Sequence, residues 1–134
     1  MRISIVEDNQ ALLSMLKTVL ALKGYIVETY NNASSFLCAL QKAESTSPCD
    51  LVIVDLFING QSGTDIVEAL QVRQPKLIPA ILISASEERT LSPIRKRYPN
   101  LPILRKPFKM QALVSLIDEI TSSVKIKPVD NRHQ

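Results

Sequence analysis

A chain of 134 residues holds one domain of ordinary size and excludes a second, and 46% hydrophobic with 22% charged residues excludes a largely disordered protein. We expect neither a membrane span nor a secretory signal, because the apolar runs have only strand length and the acidic Glu7 and Asp8 come early. The net charge of +3 is mildly basic, and Cys38 and Cys49 lack disulfide-framework and metal-ligand spacing, so we expect reduced thiols in a cytoplasmic protein.

The first part of the chain alternates between strand and helix patterns. The apolar run 3–6 predicts a strand. Leucines at helical spacing then predict a helix that Asn9 caps and that ends near Gly24. Residues 25–30 predict a second strand, and residues 34–42 predict a short helix.

The middle of the chain continues the alternation. A loop at 44–48 leads to the run 51–54, which is apolar throughout, as is typical of a central parallel strand covered on both faces. A second loop at 59–63 precedes a third helix, which we expect Ser62 to cap. Residues 78–83 predict another buried strand.

The last part of the chain completes five strands and five helices. Residues 87–97 predict a helix in which Pro93 must lie near the start or in a break. A short strand at 101–104 precedes an amphipathic helix that begins near Met110, and the tail from 125 to 134 has no periodicity. Strict alternation predicts an open parallel sheet with helices on both faces.

Polar side chains stand where the predicted strands end. Glu7 and Asp8 follow the first strand, Asp55 the third, Ser84 the fourth and Lys106 the fifth. Taken singly, Asp8 is explained as a helix cap, Asp55 as a turn residue, Ser84 as a strand-end hydroxyl and Lys106 as a surface lysine. The carboxyl ends of parallel strands, however, share one edge of the sheet. Three carboxylates there repel one another, and Lys106 with a divalent cation such as Mg²⁺ would compensate them. This set of groups suits phosphoryl transfer onto a carboxylate.

Four short motifs and a glycine surround these positions, and they are Val6-Glu7-Asp8-Asn9, Val54-Asp55-Leu56-Phe57-Ile58, Leu82-Ile83-Ser84-Ala85, Arg105-Lys106-Pro107-Phe108 and Gly63. Together they resemble the receiver domain of two-component response regulators, the CheY-like superfamily. The resemblance covers residues 1–122 and leaves 123–134 as a polar tail or linker stub. It implies a doubly wound (βα)5 α/β fold of the flavodoxin-like type, a three-layer sandwich with parallel strand order 2-1-3-4-5.

The resemblance implies a phosphoacceptor and a metal site. Asp55 matches the phosphoacceptor. Asp8 and Asp55 match the carboxylates that bind Mg²⁺ or Mn²⁺ directly, and the backbone carbonyl of Phe57 matches a further ligand. Glu7 matches an acid that assists through a metal-bound water.

Other positions match the groups that respond to the phosphoryl group. Ser84 matches the switch hydroxyl, and Ala85 matches a small residue that leaves the phosphoryl group accessible. Lys106 matches the lysine that pairs with the phosphoryl group. Its bond to Pro107 is expected to be cis, a conformation that proline makes accessible.

Three features depart from the pattern or extend it. Ile103 occupies the position of the aromatic residue that usually moves on phosphorylation, which puts that coupling in question. Asn59 stands where proline is common. The run 89–109 carries seven lysines and arginines and no acid, so we expect a basic face on or near an irregular fourth helix.

The resemblance implies a phosphorylation-controlled signalling domain and not an enzyme. A histidine kinase or histidine phosphotransfer protein would phosphorylate Asp55, and the surface of the fourth helix, fifth strand and fifth helix would change or form a homodimer. Because the chain ends after the fifth helix, we expect an excised receiver or a stand-alone regulator, without direct nucleic-acid binding. Two alternatives stay open. One is a module that binds partners without switching, favoured by Ile103. The other is a flavin-binding or hydrolytic enzyme, for which the sequence lacks a phosphate cradle and a Gly-x-Ser-x-Gly elbow.

Overall fold

The computed structural model describes residues 1–43, 48–72 and 78–130, with side chains described as far as 122. Within these ranges the chain alternates five strands with five helices. In chain order they are β1 (Arg2–Val6), α1 (Gln10–Leu22), β2 (Ile26–Tyr30), α2 (Ala33–Lys42), β3 (Leu51–Asp55), α3 (Thr64–Gln71), β4 (Ala80–Ser84), α4 (Glu88–Arg97), β5 (Ile103–Arg105) and α5 (Met110–Asp130). A small antiparallel hairpin pairs Phe57–Ile58 with Gln61–Ser62 after β3.

The five strands form one parallel sheet in the order β2-β1-β3-β4-β5, which confirms the expected order 2-1-3-4-5. Every residue of β3 and β4 is buried. This burial explains why their sequences are apolar throughout and do not alternate, because helices cover both faces of the sheet.

Two clusters of buried side chains separate the sheet from its two helical layers. One cluster joins the sheet to α2, α3 and α4 and includes Phe36, Leu70 and Leu91. The other joins the opposite face to α1 and α5 and includes Leu16 and Ile117. Burial of each such side chain contributes about 1.5–3 kcal/mol, so packing on both faces fixes the strand ends that carry the polar residues.

Asparagine side chains cap the first two helices, in agreement with the preference of asparagine for the N-cap position. The Oδ1 atom of Asn9 accepts the N–H of Leu12 at 3.0 Å, and that of Asn32 accepts the N–H of Ser35 at 2.8 Å. The expectation that Ser62 caps α3 is wrong, because the N-cap residue is Gly63. Since the hairpin holds Ser62 one residue earlier, its hydroxyl accepts the N–H of Thr64 instead, at 3.2 Å.

The last two helices differ from the expectation, α4 in the position of its proline and α5 in its length. Pro93 lies inside α4, so its predicted place at a helix start or in a break is wrong. A proline lacks the N–H that would reach the carbonyl of Arg89, but α4 lies at the surface, where water can bond that carbonyl. Helix α5 continues to Asp130, beyond the point where its apolar periodicity ends, because helical hydrogen bonds form within the segment itself. The boundary at residue 122 stays a prediction.

Three further expectations from the sequence concern a loop, the two cysteines and membrane-spanning helices. Most of the loop predicted at 44–48 lies outside the described residues. Cys38 is exposed and Cys49 is buried, and neither is in a disulfide within the described residues. Among the helices in the described part of the chain, none combines the length and the apolar character needed to span a membrane.

Candidate functional site

The polar residues predicted to converge lie at the carboxyl edge of the sheet. Glu7 and Asp8 come directly after β1, Asp55 ends β3, Ser84 ends β4, and Lys106 comes directly after β5. One carboxylate oxygen from each of Glu7, Asp8 and Asp55 lies within 4.8 Å of the other two. The fold therefore gathers the three acids into one cluster.

Lys106 bridges the two buried carboxylates of this cluster. Its Nζ atom donates to Asp55 Oδ2 at 2.6 Å and to Glu7 Oε1 at 3.2 Å. Burial works against the charge on the ammonium, but the hydrogen bonds and charges of Asp55 and Glu7 outweigh it and raise the pKa of Lys106. The lysine therefore stays protonated and supplies a fixed positive charge beside Asp55.

Glu7 is the most deeply buried acid of the cluster, with 0% of its surface exposed. Burial disfavours its charged form and the neighbouring Asp55 adds to this, so the pKa of Glu7 rises to about 7. The N–H of Asn9 at 3.0 Å and the charge of Lys106 oppose the rise without cancelling it. Near neutral pH, Glu7 can therefore hold or release a proton according to what binds beside it.

A close approach of two backbone segments fixes Asp55. Its Oδ1 atom accepts the N–H of Phe57 at 3.2 Å, while Leu56 donates its N–H to the carbonyl of Ile83 on β4 at 2.9 Å. A Cβ atom at Gly63 would overlap the backbone carbonyl of Asp55. Only glycine fits there, which gives a physical reason for the glycine eight residues after Asp55.

The hairpin after β3 holds Asp8. Asn59 and Gly60 form its turn with φ values of 50° and 80°, and such positive values are what a two-residue type I′ turn requires. The backbone N–H of Asn59 donates to Asp8 Oδ2 at 2.7 Å. Residues 59–63 were expected to form only a loop, although the Asn-Gly pair is a strong hairpin signal.

Ser84 and Lys106 are linked through their backbones. The carbonyl of Ser84 accepts the N–H of Lys106 at 2.7 Å, and its buried hydroxyl oxygen accepts the N–H of Ser86 at 2.9 Å. Ala85, between Ser84 and Ser86 in the sequence, is exposed. The Lys106–Pro107 peptide bond is cis. The hydroxyl proton of Ser84 is not needed for the bond to Ser86, so it is free to donate elsewhere.

Ile103 occupies the position at which the family usually has an aromatic switch residue. It is half-buried and packs against the core cluster beneath α2, α3 and α4. The basic run beside it is less open than its sequence indicates. Arg95 pairs with Glu88 at 2.8 Å, and Arg97 pairs with Glu68 of α3 at 3.0 Å. Acids outside the run therefore neutralise part of the predicted basic face.

The donor set of the acidic cluster fits a hard divalent cation. Mg²⁺ prefers carboxylate and carbonyl oxygens and usually keeps several waters. Two oxygens on one Mg²⁺ lie at most about 4 Å apart, so oxygens already within 4.8 Å need only a small adjustment. Glu7, Asp8 and Asp55 can thus hold such an ion.

Known regulatory proteins are similar in sequence to this chain. The profile described as "Response regulator receiver domain" matches residues 3–118. The chain is 32% identical over 115 residues to "Response regulator ArlR" of Staphylococcus epidermidis, covering 86% of this chain and 50% of that protein. It is 28% identical over 119 residues to "Nisin biosynthesis regulatory protein NisR" of Lactococcus lactis subsp. lactis, covering 87% and 48%. The chain spans about half, or less, of the length of the curated relatives it matches.

Solved structures share the fold. A CheY-like response regulator receiver domain protein from Methanospirillum hungatei JF-1 superposes with a TM-score of 0.78 at 23% identity, over 94% of this chain and 97% of that one. A response regulator receiver domain protein from Clostridium thermocellum superposes with a TM-score of 0.79 at 22% identity, over 93% and 97%. At these identities the superpositions establish the fold alone.

Proposed function

Because the chain belongs to the response regulator receiver domain family of two-component signalling, we propose that it is a phosphorylation-controlled signalling domain whose Asp55 accepts the phosphoryl group. The donor is a histidine kinase or a histidine phosphotransfer protein, and the location is cytoplasmic. The observation that carries the proposal is the contact of 2.6 Å between Asp55 and Lys106 inside the acidic cluster. The contact supports the proposal, because a carboxylate with a permanent positive charge beside it at the carboxyl edge of the sheet suits phosphoryl transfer.

The chemical step is phosphoryl transfer from a phosphorylated imidazole. A carboxylate oxygen of Asp55 forms a bond to phosphorus while the phosphorus–nitrogen bond breaks. The electron pair of the broken bond leaves with the imidazole nitrogen, which takes a proton from solvent. The product is an acyl phosphate on Asp55 and a neutral histidine on the donor.

Side chains around Asp55 stabilise the charge of the transferred group. The Lys106 ammonium moves from the carboxylate to a phosphoryl oxygen, and the Ser84 hydroxyl donates to another. The small, exposed Ala85 leaves the group accessible to the donor. Asp8, Asp55 and the Phe57 carbonyl would hold Mg²⁺ or Mn²⁺, with Glu7 assisting through a water, and the ion would supply charge neutralisation for the phosphoryl oxygens.

The output follows from the link between the strands. Since Lys106 donates its N–H to the Ser84 carbonyl, a movement of either residue displaces the other and shifts the adjoining α4–β5–α5 surface. The pairing of arginines on α4 with glutamates supports contact with a protein, including a second copy of this chain, over contact with nucleic acid.

The test is the intact mass of the protein after incubation with acetyl phosphate and MgCl₂. We expect the mass of one phosphoryl group to be added, and no addition with Asp55→Asn or with excess EDTA. Asp65→Asn, which changes an exposed aspartate in the first turn of α3, is the matched control and should gain the same mass. Addition to Asp55→Asn would refute the assignment of the phosphoacceptor.

The second candidate, a receiver-like module that binds partners without switching, is favoured by Ile103. It requires a folded wild-type protein that gains no phosphoryl group under any of these conditions. In that case the α4–β5–α5 surface is the place to search for a constitutive partner.

A further inference from the structure

Asn59 connects three segments at the carboxyl edge of the sheet. Its backbone N–H donates to Asp8 Oδ2, after β1, at 2.7 Å. Its side-chain Nδ2 donates to the backbone carbonyl of Asn31, after β2, at 2.8 Å. Asn59 itself lies in the hairpin that follows β3. One residue thus ties together the loops that follow the first three strands.

We propose that Asn59 is a positioning residue for the divalent-cation site, and that its backbone N–H orients the Asp8 carboxylate toward the ion. The inference rests on the metal site of the proposed function. It adds a residue that the motifs of the sequence do not assign to that site, and it names the atom through which the residue acts.

The need for an orienting contact follows from the exposure of Asp8. Glu7 and Asp55 are buried and held by Lys106, whereas Asp8 is only partly buried. A partly exposed carboxylate can sample several rotamers, and restricting it beforehand reduces the entropy lost when an ion binds. A charge-assisted hydrogen bond of 2.7 Å is a strong restraint of this kind.

The hydrogen bond does not occupy the carboxylate. An ionised aspartate has two oxygens with about four acceptor positions in total, so one N–H leaves room for a cation. Contacts of this type, from residues that hold a metal ligand without touching the metal, typically change metal affinity by about 10–100-fold. Asn59 has the same geometric relation to Asp8.

The local conformation explains why an asparagine serves here. Asn59 has a φ of 50° while its N–H donates to Asp8, and asparagine tolerates this left-handed region better than most residues. The bond to Asn31 then anchors the turn from the other side. Proline, fixed near a φ of about −65° and without an N–H, could make neither bond.

The test titrates the metal-free protein with MgCl₂ alone, following backbone amides by two-dimensional NMR. Asn59→Pro removes the N–H, and we expect it to weaken Mg²⁺ binding by about 10–100-fold. Asn59→Gly keeps the N–H and the positive φ and loses only the bond to Asn31. Its loss should be below about tenfold, the equivalent of one neutral hydrogen bond. Equal affinities for the proline variant and wild type, or equal losses for glycine and proline, would overturn the proposal.

A second measurement is independent of the metal and of the folding of the proline variant. In wild type without Mg²⁺, we expect the Asn59 amide proton to resonate downfield and to exchange slowly with solvent. In Asp8→Ala both signatures should disappear, while the matched control Asp65→Ala keeps them. If Asp8→Ala leaves the chemical shift and the exchange rate of the Asn59 amide proton unchanged, the inference about Asn59 is overturned and the proposed function is not. Wild-type protein that shows no saturable Mg²⁺ binding overturns the metal site of the proposed function as well.

Discussion

Replacing Glu7 by glutamine should remove an unusual pH dependence of stability. The pKa of Glu7 is about 7 in the folded protein against 4.5 as its ordinary value, because the side chain is fully buried beside Asp55. Between these values the folded state keeps a proton that the unfolded chain has lost, so stability falls as pH rises. The contribution is complete below pH 4.5 and is lost as pH passes through about 7.

The shift from 4.5 to about 7 corresponds to about 3 kcal/mol of unfolding free energy, at roughly 1.4 kcal/mol per pKa unit. Most of this loss falls between about pH 5 and pH 8. Glutamine has the same shape and no titration, and it still offers an oxygen to Lys106. The difference in stability between wild type and Glu7→Gln should therefore shrink or reverse by about 2–3 kcal/mol across that range.

The assay is urea denaturation followed by circular dichroism in EDTA, at several pH values between about 5 and 8. Glu119→Gln, which changes an exposed glutamate on α5, is the matched control and should follow wild type at every pH. Parallel pH profiles for wild type and Glu7→Gln would refute the reasoning, because they would mean that Glu7 is ionised throughout.

Three further outcomes follow from the same contacts. Lys106→Met should lower the free energy of unfolding by about 1–3 kcal/mol at neutral pH, because it leaves two buried carboxylates without their cation. Lys109→Met, at an exposed position, should leave the free energy of unfolding unchanged, and urea denaturation measures both variants. Gly63→Ala should cost about 1–3 kcal/mol or more through overlap with the Asp55 carbonyl and should slow the mass gain with acetyl phosphate. Gly24→Ala, where a Cβ meets open space at a φ of 96°, should destabilise the fold and leave the mass gain unchanged. Mg²⁺ affinity measured by calorimetry should rise with pH up to about 7 and then level off, because ion binding displaces the Glu7 proton; a pH-independent affinity would contradict this.

The parallel sheet and its two helical layers could be predicted from two regularities of the sequence, whereas the strand order 2-1-3-4-5 was expected from the family resemblance. Runs that are apolar on both faces, such as 51–54, occur in strands covered by helices, and strict alternation with helices makes the strands parallel. Parallel strands then bring Asp8, Asp55 and Lys106 to one edge, whatever lies between them. The approximate location of the candidate site required no knowledge of side-chain contacts.

The contacts within the site could not be predicted, because they depend on side-chain burial and on short turns. No pattern indicates that Glu7 is fully buried or that Lys106 reaches two carboxylates at once. Pro93 carries a local signal that the surface position of α4 overrides. At Asn59 the local signal is correct: the sequence Asn59-Gly60 favours a two-residue hairpin turn, which the spacing of apolar residues does not reveal.

The charge balance of the site explains how the proposed signal could arise without an aromatic residue at position 103. One ammonium serves two buried carboxylates, so the cluster already lacks positive charge. A phosphoryl group on Asp55 would replace one negative charge by roughly two and draw Lys106 toward it. Because the N–H of Lys106 holds the Ser84 carbonyl at 2.7 Å, that displacement has a direct backbone route between β4 and β5. Ile103 then needs only to follow the strand on which it lies, and the change would reach the surface as a shift of β5 and not as the rotation of a ring.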